Sequence, residues 1–163
     1  MFAQHHGAVY RYLAGFTGDA DLAADLAQET FVRLAEHPPP DHERLKGWLF
    51  TVATNLARDA MRTNRRRLRL LDRSGDRVPL ADPPADPGAL AERAEEVARV
   101  RQALNALTER DRTMLLMREE GFTHQEIAAA AGTTTKSVGT MVARALNRLA
   151  EQLDLGRGGL EST

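Results

Sequence analysis

Twenty residues near the middle of the chain, Asp72 to Ala91, read DRSGDRVPLADPPADPGALA. Four prolines and two glycines stand there among few apolar side chains. Each proline fixes φ and removes a backbone donor, so neither a helix nor a central strand can run through such a stretch. The chain is thereby divided into two parts, each too short for a large fold. The reading is a domain over residues 1–71, a flexible acidic linker over 72–95, a second domain over 96–155 and a disordered tail over 156–163, GRGGLEST.

Both parts have helical periodicity and lack the alternation of strands or an Asn-Gly or Asp-Gly hairpin turn. The expected fold class is all-α, two small helical domains. In the first part, helices are expected over roughly Ala8–Phe16, Asp19–Glu36 and Leu45–Arg67. Pro38, Pro39 and Pro40 stop the second. Leu45, Trp48, Leu49, Val52, Ala53, Leu56 and Ala60 form one apolar stripe on the third, opposite Thr51, Asn55, Arg58, Asp59 and Arg62. In the second part a helix is expected from Ala91 to Leu107. Two capping boxes follow, Thr108 to Asp111 and Thr123 to Glu126.

Ile127, Ala128, Gly132 and the stripe Val138, Met141, Val142, Ala145, Leu146, Leu149 have the spacing of a helix-turn-helix. Gly132 supplies the turn and Thr134 can cap the second helix. The outer face of that helix carries Lys136, Ser137, Gly139, Thr140, Ala143, Arg144, Asn147 and Arg148. Residues near the start of such a helix reach base edges, and later basic ones reach phosphates.

The net charge is −1, but charge is segregated. Residues 1–60 hold 5 basic and 8 acidic side chains, residues 61–71 hold five arginines and no acid, and residues 72–96 hold 3 basic and 7 acidic. A sharp basic cluster beside an acidic stretch points to different partners at different places. Cysteine is absent, which excludes disulfides and thiolate metal sites. The five histidines have no metal-ligand spacing, and neither a nucleophile triad nor a phosphate-cradling glycine loop is present, so no catalytic residue, metal or cofactor is expected. No apolar run reaches the length of a membrane span, and the N-terminus lacks the order of a secretory signal. A cytoplasmic protein without membrane insertion is expected.

Two strings, DLAADLAQETFVRLAEHPP (21–39) and RLKGWLFTVATNLARDAMRTNRRR (44–67), resemble the core of sigma domain 2. With the helix-turn-helix some seventy residues later, the chain from Val9 to Leu153 resembles an extracytoplasmic-function (group IV) RNA polymerase sigma factor. The resemblance implies sigma domain 2, a short linker and sigma domain 4. Its implied partners are core polymerase (β′ coiled coil and β flap), promoter DNA and an anti-sigma factor. It implies no enzyme activity.

Asp25, Gln28 and Glu29 share one helix face, and with Leu26 and Phe31 the resemblance implies docking on polymerase core. The loop His37–Lys46 corresponds to the region that takes up a flipped −10 base. Asn55, Arg58, Asp59 and Arg62, with Arg65, Arg66 and Arg67, would bind the −10 region. Thr135, Lys136, Ser137, Thr140, Arg144 and Arg148 would bind the −35 element.

Trp48 reads as core; Phe50 lies off the stripe, so packing is weighed above stacking on an unpaired base. Thr54 stands where the family often has arginine, and Arg58 where an aliphatic is common. The alternatives are a helix-turn-helix regulator acting without polymerase, which leaves the string Asp25–Phe31 unexplained, and an adaptor or anti-sigma protein, which leaves the arginine cluster idle.

Overall fold

A glycine with positive φ, Gly18 (φ 72°), separates the first two helices, and Asp19 caps the second by accepting from the backbone N–H groups of Asp21 and Leu22. The structure, a computed structural model, describes residues 2–74 and 89–161, with side chains over 4–71 and 92–155. Among these residues the elements are all helical: α1 Phe2–Thr17, α2 Ala20–Glu36, a short 3₁₀ turn His42–Arg44, α3 Leu45–Ser74, α4 Ala89–Asn105, α5 Glu109–Glu119, α6 His124–Ala131 and α7 Thr135–Glu161.

The all-α expectation holds, with three differences of extent. First, α1 begins at Phe2, well before Ala8. Second, α3 and α4 reach into the proline-rich stretch from both sides, to Ser74 and from Ala89. No proline lies inside either extension, and adding a residue to an existing helix costs far less than starting one. Residues 75–88, the body of the expected linker, lie outside the described residues. Third, α7 continues to Glu161 across a segment read as irregular; its glycines lower helix propensity but break no hydrogen bond.

One apolar core runs through both halves of the chain. From the first come Val9, Tyr12, Leu13, Phe16, Ala27, Phe31, Leu49 and Ala53; from the second come Leu104, Leu107, Met114, Ile127, Val138 and Ala145. Helix α1 is the shared wall: it packs on α2 and α3 on one side and on α4 and α5 on the other. Gly15 permits the approach, since a Cβ there would lie 2.6 Å from Leu116 Cδ2.

The helix-turn-helix forms as expected. Thr123 Oγ1 accepts from the Glu126 N–H at the start of α6, and Gly132 ends it in the left-handed conformation, φ 68° and ψ 37°. Thr134 Oγ1 lies 2.8 Å from Ser137 Oγ. Val138, Val142 and Ala145 are buried and Met141 and Leu149 half-buried, but Leu146 is exposed. Its place on the stripe is corrected: α7 turns it beyond the edge of the contact with α5 and α6.

Candidate functional site

Three outward surfaces carry the residues singled out above, and a fourth cluster lies between them. On α2, Asp25, Gln28 and Glu29 are all exposed, and Glu29 pairs with Arg33 one turn on, at 3.4 Å. Leu26 and Phe31 belong elsewhere: both are buried in the core. They hold the face in place, and Phe31 also lines the groove beside it. The apolar element of that face is Val32, 43 % exposed and seven residues from Asp25. It borders a groove lined also by His6, Gly7, Tyr10, Ala24 and Gln28. The i+7 spacing from Asp25 places Val32 on this face, but a single valine beside Phe31 gives no distinct signal in the sequence.

On α3, Asn55 and Asp59 are exposed, as are Arg62, Arg65, Arg66, Arg67 and Arg69. The helix projects this basic end past the core, whose α3 members are Leu45, Leu49, Phe50, Ala53 and Ala57. Arg58 is different. It is half-buried, and its Nε–H donates to Glu109 Oε1 at the start of α5. Thr54 explains why the charge sits one turn later than in the family pattern. It is buried, donates to the Phe50 carbonyl oxygen at 2.6 Å, and its Oγ1 lies 2.8 Å from the Tyr12 hydroxyl. An arginine there would have to bury its charge.

On α7, Thr135, Lys136, Thr140 and Arg144 are exposed, and Ser137 is half-buried. Arg148, although outward, donates to Asp111 Oδ2 at 2.6 Å. Gly139 is open: a Cβ there would meet nothing nearer than His124 Cε1 at 3.8 Å. Packing does not demand glycine at this position. Thr133, in place of the usual aliphatic, sets its hydroxyl 3.4 Å from Met141 Sδ.

The fourth cluster, at the junction of α1, α3, α4 and α5, has no local signal in the sequence, because its partners are distant along the chain. Arg112 is buried and donates to three carbonyl oxygens, Phe16 (2.7 Å), Leu104 (3.1 Å) and Leu107 (3.2 Å). Its guanidinium carbon also lies 5.5 Å from the Phe16 ring centroid. One cation thus caps the C-terminal ends of α1 and α4, where carbonyls lack helical partners. Desolvation lowers its pKa. Beside it, Phe50 packs edge-on against Phe122 (4.7 Å between centroids) and Tyr12 (4.9 Å). Packing is therefore the role of Phe50. It lies off the stripe of its own domain because the second domain covers it. Burial raises the Tyr12 phenol above its ordinary range, with the Thr54 hydrogen bond opposing. Lys46 Nζ donates to the Glu120 carbonyl oxygen at 2.6 Å and sits 4.4 Å from the Phe122 centroid. Arg11 makes a two-pronged pair with the Glu120 carboxylate, 3.2 Å for each contact, and that hydrogen bond raises the Arg11 pKa.

Among the described residues no group of three acidic, histidine or cysteine side chains could hold a metal, and no helix is long and apolar enough to cross a membrane.

Residues 1–67 match the family described as Sigma-70 region 2, and residues 98–149 the family described as Sigma-70, region 4. The extracytoplasmic-function (ECF) RNA polymerase sigma factor SigE of Mycolicibacterium smegmatis is 31 % identical over 159 residues, which is 94 % of this chain and 60 % of SigE. The chain therefore spans less than two thirds of that relative's length. The ECF RNA polymerase sigma factor EcfG of Rhodopseudomonas palustris is 30 % identical over 145 residues, covering 87 % of this chain and 77 % of EcfG. Among solved structures, the sigma factor RpoE of Bartonella quintana, in complex with the anti-sigma factor NepR, superposes with a TM-score of 0.69 at 28 % identity and 93 % coverage of both chains.

Proposed function

Because the chain belongs to the family of ECF RNA polymerase sigma factors, we propose that it directs core polymerase to promoters carrying −10 and −35 elements of its own. The observation that carries this reading is one chain holding two regions in sigma order, 1–67 then 98–149, the second a formed helix-turn-helix with an open outer face. The exposed face of Asp25, Gln28, Glu29 and Val32 suits a basic helical partner with an apolar seam, such as the β′ coiled coil. The end of α3, from Asn55 through Arg67, suits the −10 region, and its arginines grip phosphates. On α7, Thr135, Lys136, Ser137 and Thr140 meet base edges of the −35 element, with Arg144 and Arg148 on the backbone. The domain order is that drawn from the sequence, with the connection falling between Ser74 and Ala89. The chain performs no catalysis; nucleotidyl transfer belongs to polymerase. By analogy with the Bartonella neighbour, an anti-sigma factor holds it inactive in the cytoplasm.

Weak individual DNA contacts fit such a protein. Gly139 leaves a gap on the reading helix and Arg148 is already paired. Polymerase holds both domains together, so the second contact becomes effectively intramolecular and modest contacts suffice.

Reconstitution tests the reading. The chain, mixed with core polymerase and a library of genomic fragments, is expected to co-purify with core and to produce discrete run-off transcripts absent from core alone. Tight binding to palindromic duplexes without polymerase, with no new transcripts, would favour a dimeric regulator instead.

A further inference from the structure

Three successive residues at the start of α5 are held in different ways. Glu109 pairs with Arg58 of α3. Asp111 is buried and pairs with Arg148 of α7 at 2.6 Å. Arg110, between them, is exposed and turns to α7, where its Nη2 donates to Met141 Sδ at 3.2 Å. A thioether is a weak, neutral acceptor. It places the guanidinium without offsetting its charge. Among the described residues no carboxylate lies within ion-pair distance of Arg110. Met141 itself is anchored: it is half-buried, and its sulfur also faces the Thr133 hydroxyl at 3.4 Å.

Steps of three and four residues carry Met141 to Arg144 and then to Arg148, down the flank of α7 that faces α5. At a rise of about 1.5 Å per residue, this row covers about 10 Å of helix axis. Arg110, Arg144 and Arg148 therefore set three guanidiniums along one flank, and Asp111 offsets only the last. Arg144, like Arg110, is exposed and has no carboxylate in ion-pair distance among the described residues. Like charges on one edge repel, and an anion from outside the chain relieves the repulsion. The other flank is neutral at Gly139, Ala143 and Leu146. Leu146, the exposed leucine of the helix-turn-helix, lies on that side. The charged flank thus offers cations without an exposed apolar anchor, which suits a chain of phosphates better than a protein surface.

A helix laid in the major groove runs between two phosphate backbones, so a charged flank meets one of them. Resting on the promoter reading above, we propose that Arg110 is a phosphate anchor for the −35 element, supplied by α5 to a reading helix whose own middle is bare. Arg110 and Arg144 together follow the backbone of one strand. In this role Arg110 carries no sequence information and strengthens every −35 sequence alike. It offsets in part what Gly139 and the paired Arg148 withhold from α7.

The test uses holoenzyme reconstituted from core polymerase and the full-length chain, with promoter binding measured between about 50 and about 200 mM salt. Arg110→Ala is expected to keep thermal stability and affinity for core polymerase. It should flatten the slope of log K against log salt by about 0.9, which makes its deficit against wild type about threefold larger at the low-salt end. The sequence selected from a randomised −35 library should stay the same. Arg144→Ala is the reference. A slope flattened by Arg144→Ala but not by Arg110→Ala would overturn the anchor role and leave the promoter reading standing. Weakened core binding by Arg110→Ala, with DNA binding intact once holoenzyme has formed, would make the flank a protein contact and overturn the assignment. A changed −35 selection would make Arg110 a base reader and overturn the phosphate role. If wild-type holoenzyme shows no promoter-specific binding at all, the promoter reading fails and the anchor falls with it.

Discussion

The charged side chains fall into two populations. On the outer faces stand Asp25 and Glu29 on α2, Arg62 to Arg69 on α3, and Lys136 and Arg144 on α7, all exposed. At the junction stand Arg11, Arg58, Glu109, Arg112 and Glu120, each bonded across the two halves of the chain. The first group faces water; the second comes from separate helices and is drawn together only by the packing of the two halves. The difference separates surfaces built for other molecules from charges consumed in closing this one. A cluster of like charges cannot be satisfied internally without many counter-charges nearby, whereas one arginine at a helix end finds carbonyls waiting.

The largest effect should separate the populations at their extremes. Arg112→Met removes the donor from three carbonyls while keeping much of the side-chain volume. A loss of folding stability on the order of 3 kcal/mol is expected, measured by urea denaturation, against less than about 0.5 kcal/mol for Arg65→Ala. Equal losses would erase the distinction between consumed and presented charge.

Next comes the α2 face. Asp25→Lys combined with Glu29→Lys should leave helical content and melting temperature unchanged yet weaken binding to core polymerase by about 2–5 kcal/mol, roughly 30-fold or more. Leu26→Ala should do the reverse: it should destabilise the fold by about 2 kcal/mol or more and affect core binding only through the fold. Unchanged core affinity in the double reversal would remove polymerase docking from this face.

The arginine cluster should show a third behaviour. Replacing Arg62, Arg65, Arg66 and Arg67 by alanine should leave stability unaltered and flatten the dependence of promoter binding on salt. The slope of log K against log salt should fall by about 0.9 for each lost contact on duplex and about 0.7 on single-stranded DNA. An unaltered slope would assign these arginines to solubility or to protein contact.

How much of this was legible follows from where each residue's neighbours come from. Asp19, Thr108, Thr123 and Gly132 act within a few residues of themselves, so the sequence sufficed to place the ends of α2, α5 and α6. The core positions Leu49, Ala53, Val138, Val142 and Ala145 repeat with the helix and were equally plain. Packing was legible for Phe50, but the partners of Phe50, Arg58 and Arg112 were not, because they are 72, 51 and 96 residues away: Phe122, Glu109 and Phe16. A stripe computed for one helix cannot reveal that a second domain covers its other side. Leu26 and Phe31 show the converse case: the family string groups them with the docking face, and their burial gives both a packing role that the string does not reveal. Helix ends lacking a proline were read too short in α1, α3 and α7, since helix extension needs no signal of its own.

The smallest expected effects lie on α7, where presented and consumed charge meet on one helix. Lys136 and Thr140 are exposed near its N-terminus; Arg144 is exposed one turn on; Arg148 is tied to Asp111. Lysine and hydroxyl groups can touch base edges but lack the bidentate fit of arginine to guanine. Gly139, which packing does not require, removes a contact from the centre of the face. Discrimination at −35 should therefore be modest, with DNA shape contributing. Lys136→Ala should relax preference at one or two base positions by about 1 kcal/mol, and Arg144→Ala should weaken all −35 sequences about equally. Arg148→Ala should weaken DNA binding less than Arg144→Ala, because its charge is already offset, and should cost stability by freeing the buried Asp111 carboxylate. A randomised −35 library transcribed by wild-type and variant holoenzymes measures the first two effects. If Lys136→Ala keeps the selected sequence while Arg144→Ala changes it, reader and anchor are exchanged. If Gly139→Arg sharpens −35 preference without loss of stability, glycine there is a limit on affinity that the fold itself does not impose.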